Sequence, residues 1–230
     1  MADFTAGFET GVNGNNIKST DPGDATPWAA GSPDTAEFIY DNAHVNSGSL
    51  AAKVIYTGTP IRPFWDLTSV TDHYGRFYLY VESLPATPCS IMEAEDSGAG
   101  RDIRMDIRDT GKLRLINASA GTDISTTASI SLNQWIRVEW HFIHNVATGV
   151  MEAKLFNTAT SSSPTETLTS GACDTGAACR FMVFGEMGAG ATITYWMDDV
   201  VANATSYPGP IPQVVSTANL APVIYGRGAC

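Results

Sequence analysis

The chain has 230 residues, 43% of them hydrophobic and 10% aromatic, which is enough apolar material for one sizeable core. A net charge of −11 with only 13 Lys and Arg argues against nucleic acid as a partner, because phosphate binding needs clustered cations. No apolar run approaches the ~20 residues a membrane-spanning helix needs, so no membrane insertion is expected.

Phe4 to Phe8 reads as a short first strand, and Gly11 to Pro33 as a long loop whose Gly, Asn, Pro, Asp and Ser break regular structure. Ala36 to Tyr40, Leu50 to Tyr56 and Arg62 to Asp66 are the next strands. In Arg76 to Glu82, Phe77, Leu79 and Val81 point one way. Ser90 to Glu95 follows, then Arg101 to Asp109, where Ile103, Met105 and Ile107 alternate with Arg104, Asp106 and Arg108. A turn at Asp109-Thr110-Gly111-Lys112 leads into Leu113 to Ile116.

The clearest signal runs from Trp135 to Leu155. Ile136, Val138, Trp140 and Phe142 alternate with Arg137, Glu139 and His141, Asn145 to Gly149 supply a turn, and Met151, Ala153 and Leu155 resume the alternation. This is a hairpin with one dry face, so a second sheet must cover it. Thr158 to Ser170 reads as a polar loop, and Phe181 to Glu186 and Thr192 to Ala202 as the closing strands. The fold class is all-β, an antiparallel two-sheet sandwich. Proline density after Tyr207 breaks sheet pairing and sets the expected division: residues 1–207 a sandwich, 208–230 an extended tail. Val214, Val215, Leu220, Val223, Ile224 and Tyr225 make that tail too apolar for a free end, so it is expected to pack on another subunit.

Phe8-Glu9-Thr10-Gly11 opens the domain, Gly48-Ser49-Leu50-Ala51-Ala52-Lys53-Val54 forms an early strand, Asn133-Gln134-Trp135-Ile136-Arg137-Val138-Glu139-Trp140 sits in the middle and Trp196-Met197-Asp198-Asp199-Val200-Val201 closes it. In order and spacing these segments, over roughly residues 4 to 202, resemble the concanavalin A-like lectin and glucanase superfamily, the laminin-G-like jelly rolls. Within it the chain looks most like domains of minor tail proteins from phages of actinobacteria. The resemblance implies a non-enzymatic virion structural protein, a minor tail, tail-tip or fibre component. Such a protein is made in the host cytoplasm, contacts other virion subunits as a homo-oligomer and touches a cell-surface glycan. The N-terminus, without the basic and apolar segments of a secretory signal, fits that expectation. The alternatives are a secreted carbohydrate-binding module, a polysaccharide-active enzyme of glucanase or lyase type, and a capsid decoration protein.

In such folds the first and last strands lie side by side, which would bring Glu9 towards Asp198 and Asp199, an oxygen-rich seam suited to a structural Ca²⁺. Strand alternation lets only one Asp enter, so the expected ligands are Asp199, Glu9 and the carbonyl of Gly11. The competing expectation is that the Asp pair caps loop amides.

The glucanase branch carries Glu-x-Asp-x-x-Glu on one strand. Glu93 and Glu95 share a face but lack the third acid, so no catalytic residue is expected. A lyase would need a Tyr or His base and a cation for the uronate; Arg104 and Arg108 beside Tyr78 and Tyr80 supply the types, but Asp106 between the arginines favours an ion-pair ladder. Glycan binding is expected at Trp28, Tyr78, Tyr80, Arg104 and Arg108, with Tyr74 and Trp65 as further aromatics. His141 and His144 face opposite ways, and His44 and His73 are read as loop residues without partners, so no zinc set is expected. Cys173 and Cys179 form either a small disulfide loop or two free thiols.

Overall fold

The computed structural model describes residues 3–18, 36–57, 61–185 and 192–211. Every regular element among them is a strand. The first seven are β1 (Phe4–Ala6), β2 (Phe38–Asp41), β3 (Ala51–Tyr56), β4 (Phe64–Val70), β5 (Asp72–Val81), β6 (Cys89–Glu95) and β7 (Arg101–Ile107). There follow β8 (Lys112–Asn117), β9 (Thr122–Ser129), β10 (Trp135–Ile143), β11 (Val150–Phe156), β12 (Glu166–Thr169), β13 (Cys179–Phe184) and β14 (Ile193–Asn203).

They form an eight-stranded sheet, in the order β12-β11-β10-β5-β14-β3-β2 with β1 also on β14, and a six-stranded sheet in the order β4-β13-β6-β7-β8-β9. All pairings are antiparallel. Alternation explains the sandwich. From the larger sheet Phe77, Leu79, Val138, Trp140 and Met197 turn inward, and from the smaller sheet Met92, Ala94, Ile103, Met105, Leu113 and Leu115 meet them. An aromatic chain bridges the layers: Phe77 to Trp140 at 5.8 Å between ring centroids, Trp140 to Phe184 at 6.2 Å and Phe184 to Trp65 at 5.3 Å. Trp140 fits because Gly75 lies opposite it on β5; a β-carbon there would stand 2.0 Å from the indole.

Two strands depart from the sequence pattern. β9 lies in a stretch assigned to no element, and β12 lies within the expected Ser/Thr loop. Both are edge strands with one or no fully buried apolar side chain, so neither shows a hydrophobic period. They meet through Glu166, whose carboxylate accepts bonds from the amides of Thr127 and Ala128 at 2.9 Å and so stitches one sheet edge to the other. Those bonds hold the Glu166 carboxyl below its usual range.

Of the residues after β14, those described, 204–211, stay on the domain. Asn203 caps a turn by accepting from the amides of Thr205 and Ser206, and Tyr207 to Ile211 then cross the outer face of the eight-stranded sheet. The apolar segment from Gln213 to Cys230 lies outside the described residues.

Candidate functional site

Strand β6, inside the six-stranded sheet, alternates cleanly near its end. Met92 and Ala94 enter the core, while Glu93 and Glu95 turn to the outer face. Neighbouring strands frame them: Glu93 lies between Val183 of β13 and Arg104 of β7, and Glu95 between Phe181 and Arg101. Beside the acids opens a cavity of about 320 Å³ lined by Arg62, Phe64, Glu95, Ala99, Phe181 and Val183. Phe64 and Phe181 meet edge to face at 5.4 Å.

Both acids are buried, Glu93 at 0% exposure and Glu95 at 2%. Glu95 pairs with Arg62, and Arg101 Nε stands 3.0 Å from Glu93 Oε2. Burial pushes the Glu93 carboxyl up to about 7; Arg101 opposes the shift and Glu95 adds to it. One of two adjacent carboxyls thus holds a proton near neutrality, as acid–base chemistry requires. Further along the same face a ladder runs from Arg104 through Asp106 and Arg114 to Asp123, at 2.9, 2.5 and 3.4 Å. This is the ion pairing expected for Asp106.

The structure separates the expected glycan set. Tyr78 and Tyr80 belong to β5 in the larger sheet and Arg104 to β7 in the smaller, so they face opposite sides of the sandwich and cannot line one cleft. Tyr78 is 2% exposed, and its hydroxyl accepts from the Ile211 amide at 2.8 Å. Tyr80 is half-buried and stacks on His44 at 3.9 Å, Trp65 is wholly buried, and Arg108 starts the turn after β7. Trp28 lies outside the described residues. Arg62, Phe64 and Phe181 were not singled out in the sequence, since each needs the pairing of β4, β13 and β6 to reach Glu95.

At the chain-end seam both aspartates enter, against the alternation argument. A register shift between Asp198 and Val201, with Asp199 at a φ of 50°, rotates the second side chain onto the side of the first. Asp198 Oδ2 accepts from the amides of Asn46 and Ser47 at 2.9 and 3.2 Å, and Asp199 accepts from Asn46 Nδ2 and Ser47 Oγ at 2.8 and 2.9 Å. Glu9 takes the Ser49 amide and hydroxyl at 2.8 and 2.9 Å. Loop capping, the competing expectation, is what these bonds do. Gly11 packs on the ring of Tyr40, where an added β-carbon would lie 2.3 Å away. Burial, with Asp199 alongside, raises the Asp198 carboxyl to about 8, and burial raises Asp199 as well.

Among the described residues, one trio brings three metal-type ligand atoms within 4.8 Å: His73, His144 and Cys179, all buried. His73 is therefore a strand residue with a partner, not a lone loop histidine. The hydrogen bonds close without a metal. Trp140 Nε1 donates to His73 Nδ1 at 3.3 Å, leaving the His73 proton on Nε2, which faces His144 Nε2 at 3.1 Å. His144 Nδ1 in turn donates to the Thr175 carbonyl at 3.0 Å. A cation on His73 Nε2 would move its proton to Nδ1, against the indole N–H, so the geometry opposes a metal there. Cys173 and Cys179 are free thiols.

No known family pattern matches this chain, and no curated protein is detectably similar in sequence. Solved structures do share its fold. The cellulose-induced protein Cip1 superposes with a TM-score of 0.62 at 17% identity, over 88% of this chain and 97% of its own. An endo-β-1,4-glucuronan lyase from the fungus Trichoderma reesei gives 0.52 at 15% identity, covering 73% and 87%. The catalytic domain of a glycoside hydrolase family 131 protein from Coprinopsis cinerea gives 0.50 at 11%, covering 90% and 86%. At these identities the likeness establishes the fold alone, an antiparallel two-sheet jelly-roll sandwich. It supports no phage tail assignment. The expectation that the chain is not an enzyme is overturned, because the fold that implied an adhesive sandwich is here the fold of two catalytic proteins.

Proposed function

We propose that the protein is a polysaccharide-active enzyme working on the outer face of its six-stranded sheet, with Glu93 and Glu95 as its acid pair. One observation carries this reading: two buried carboxyls stand on one face of one strand, beside an open aromatic-walled cavity, with one raised to about 7. Protonated Glu93 donates to the glycosidic oxygen as the bond to the leaving sugar breaks. Glu95, held by Arg62, supplies the carboxylate that attacks the anomeric carbon or directs water to it. Phe64 and Phe181 give a sugar ring apolar surface. Among the described residues of this face no Tyr or His stands beside the acids, which favours hydrolysis over the base-initiated elimination of a lyase.

The test is release of reducing ends from a panel of β-glucans and uronate-containing polysaccharides, with Glu93→Gln and Glu95→Gln as controls. Each variant is expected to lose roughly 100-fold or more in kcat with its circular dichroism unchanged. Activity should fall as pH rises through about 7, because Glu93 must carry its proton. No product from any polysaccharide, or full activity in both variants, would refute the proposal; unsaturated products would replace hydrolysis with elimination.

The same reading includes a structural calcium ion at the chain-end seam. Glu9, Asp198 and Asp199 would hold it with oxygens of the Asn46–Ser49 loop, and the ion would supply only charge and cross-linking. Two features fit: adjacent carboxyls raised by burial, and Arg76, the guanidinium at the seam, bonded to the backbone carbonyl of Asp199 instead of its carboxylate.

A further inference from the structure

The outer face of the eight-stranded sheet is crossed by the chain's own residues 207–211. Tyr74, Arg76 and Tyr78 are alternate residues of β5 and share that face with His141 of β10 and with Glu152 and Lys154 of β11. The Tyr207 ring meets Tyr74 edge-on at 5.2 Å and His141 at 6.2 Å, Lys154 Nζ lies 3.4 Å from its centre, and its hydroxyl donates to Glu152. Two residues on, Arg76 Nη1 donates to the Gly209 carbonyl at 2.7 Å; after two more, the Ile211 amide donates to the Tyr78 hydroxyl at 2.8 Å.

The match is one of peptide recognition. An aromatic anchor is followed by backbone bonds at alternate residues, and the intervening Pro208 and Pro210 have no N–H to leave unpaired and a preset φ that lowers the ordering cost. Every receptor side chain stands on a strand, so the groove is formed before it is filled. Arg76 and Tyr78, at 7% and 2% exposure, have their polar ends matched to backbone groups of the segment. Only Ala204, Thr205 and Ser206 connect the segment to β14, so its effective concentration at the groove is high.

We propose that this face is a binding groove for an extended aromatic-Pro-Gly-Pro-aliphatic peptide, occupied in cis by Tyr207–Ile211 and open in trans to a partner polypeptide carrying such a stretch. The proposal is independent of the acid pair on the opposite face.

The probe is a fluorescent peptide of the sequence Ser206–Ile211, titrated by polarisation into the full chain and into a chain ending at Ser206. The shortened chain should bind it saturably and at least about 10-fold more tightly than the full chain. Tyr78→Phe in the shortened chain should weaken binding about 5-fold, as for loss of one hydrogen bond. No binding by a shortened chain that keeps its near-ultraviolet dichroism would overturn the proposal, as would equal binding by both chains. Should the shortened chain fail to fold, full-length Tyr207→Ala serves instead: a gain in peptide binding over the unaltered chain supports the groove, and no gain overturns it.

Discussion

At the residue scale, single atoms decide what the pattern allows. Gly75 interrupts an otherwise bulky strand, and the sequence gives no reason for it until Trp140 is seen filling the missing side chain's space. Gly75→Ala should therefore destabilise the fold by about 1–3 kcal/mol, because the rigid indole must move within a packed core. A denaturant midpoint that falls with an unchanged slope would verify this, and an unchanged midpoint would contradict it. Glu93 and Glu95 were legible as neighbours on one face. Their burial, which shifts the proton affinity of Glu93, was not, because it depends on Arg62, Phe181 and Arg101 arriving from other segments. The opposite holds for Asp198: alternation keeps Asp199 in the seam and excludes Asp198, whereas the left-handed backbone at Asp199 lets both side chains reach the Asn46–Ser47 loop.

At the element scale, strands with a dry face could be read directly, as Ile136 to Phe142 show, while edge strands such as β9 and β12 could not. The His73–His144 contact adds a bond no period could reveal, joining the start of β5 to the residue after β10. Burial lowers both imidazoles, His144 to about 4 from an ordinary 6.5. Between those values these two imidazoles are protonated in the unfolded chain and not in the folded one, so their own contribution to stability falls as pH drops from about 6.5 towards 4, while the raised Glu93 and Asp198 carboxyls act in the opposite sense. Thermal unfolding of the unaltered chain and of His144→Gln across that interval isolates the imidazole: the variant is expected to be less stable at neutral pH, by a margin that shrinks as pH falls. A margin that stays constant with pH would assign no proton linkage to His144.

At the scale of the whole molecule, the two-layer architecture was evident from the alternating segments, but which outer face does what was not. Sequence order put Tyr78 and Arg104 in reach of each other, whereas topology sends β5 and β7 to different sheets. The seam at Asp198 and Asp199 ties β14 to the Asn46–Ser47 loop, and Glu9, just beyond β1, takes the next part of that loop, so an ion there would brace the fold globally. Calcium at 100 times its dissociation constant should add about 2.7 kcal/mol of stability, reversed by chelator and lost in Asp199→Asn. An unchanged melting temperature with and without calcium would leave the seam with capping alone.

The stitch made by Glu166 reaches beyond its own two strands. A sheet margin with unsatisfied amides and carbonyls invites another molecule to add a strand, the first step towards fibrils. Here β12 and β9 are closed on one another, and on the far side the Asn15–Ile17 stretch pairs along β2. Among the described residues these contacts shield the margins at β12, β9 and β2, and at β4 Thr68 and Ser69, at φ of 62° and 71°, bend the rim out of register against the lateral accretion of further chains.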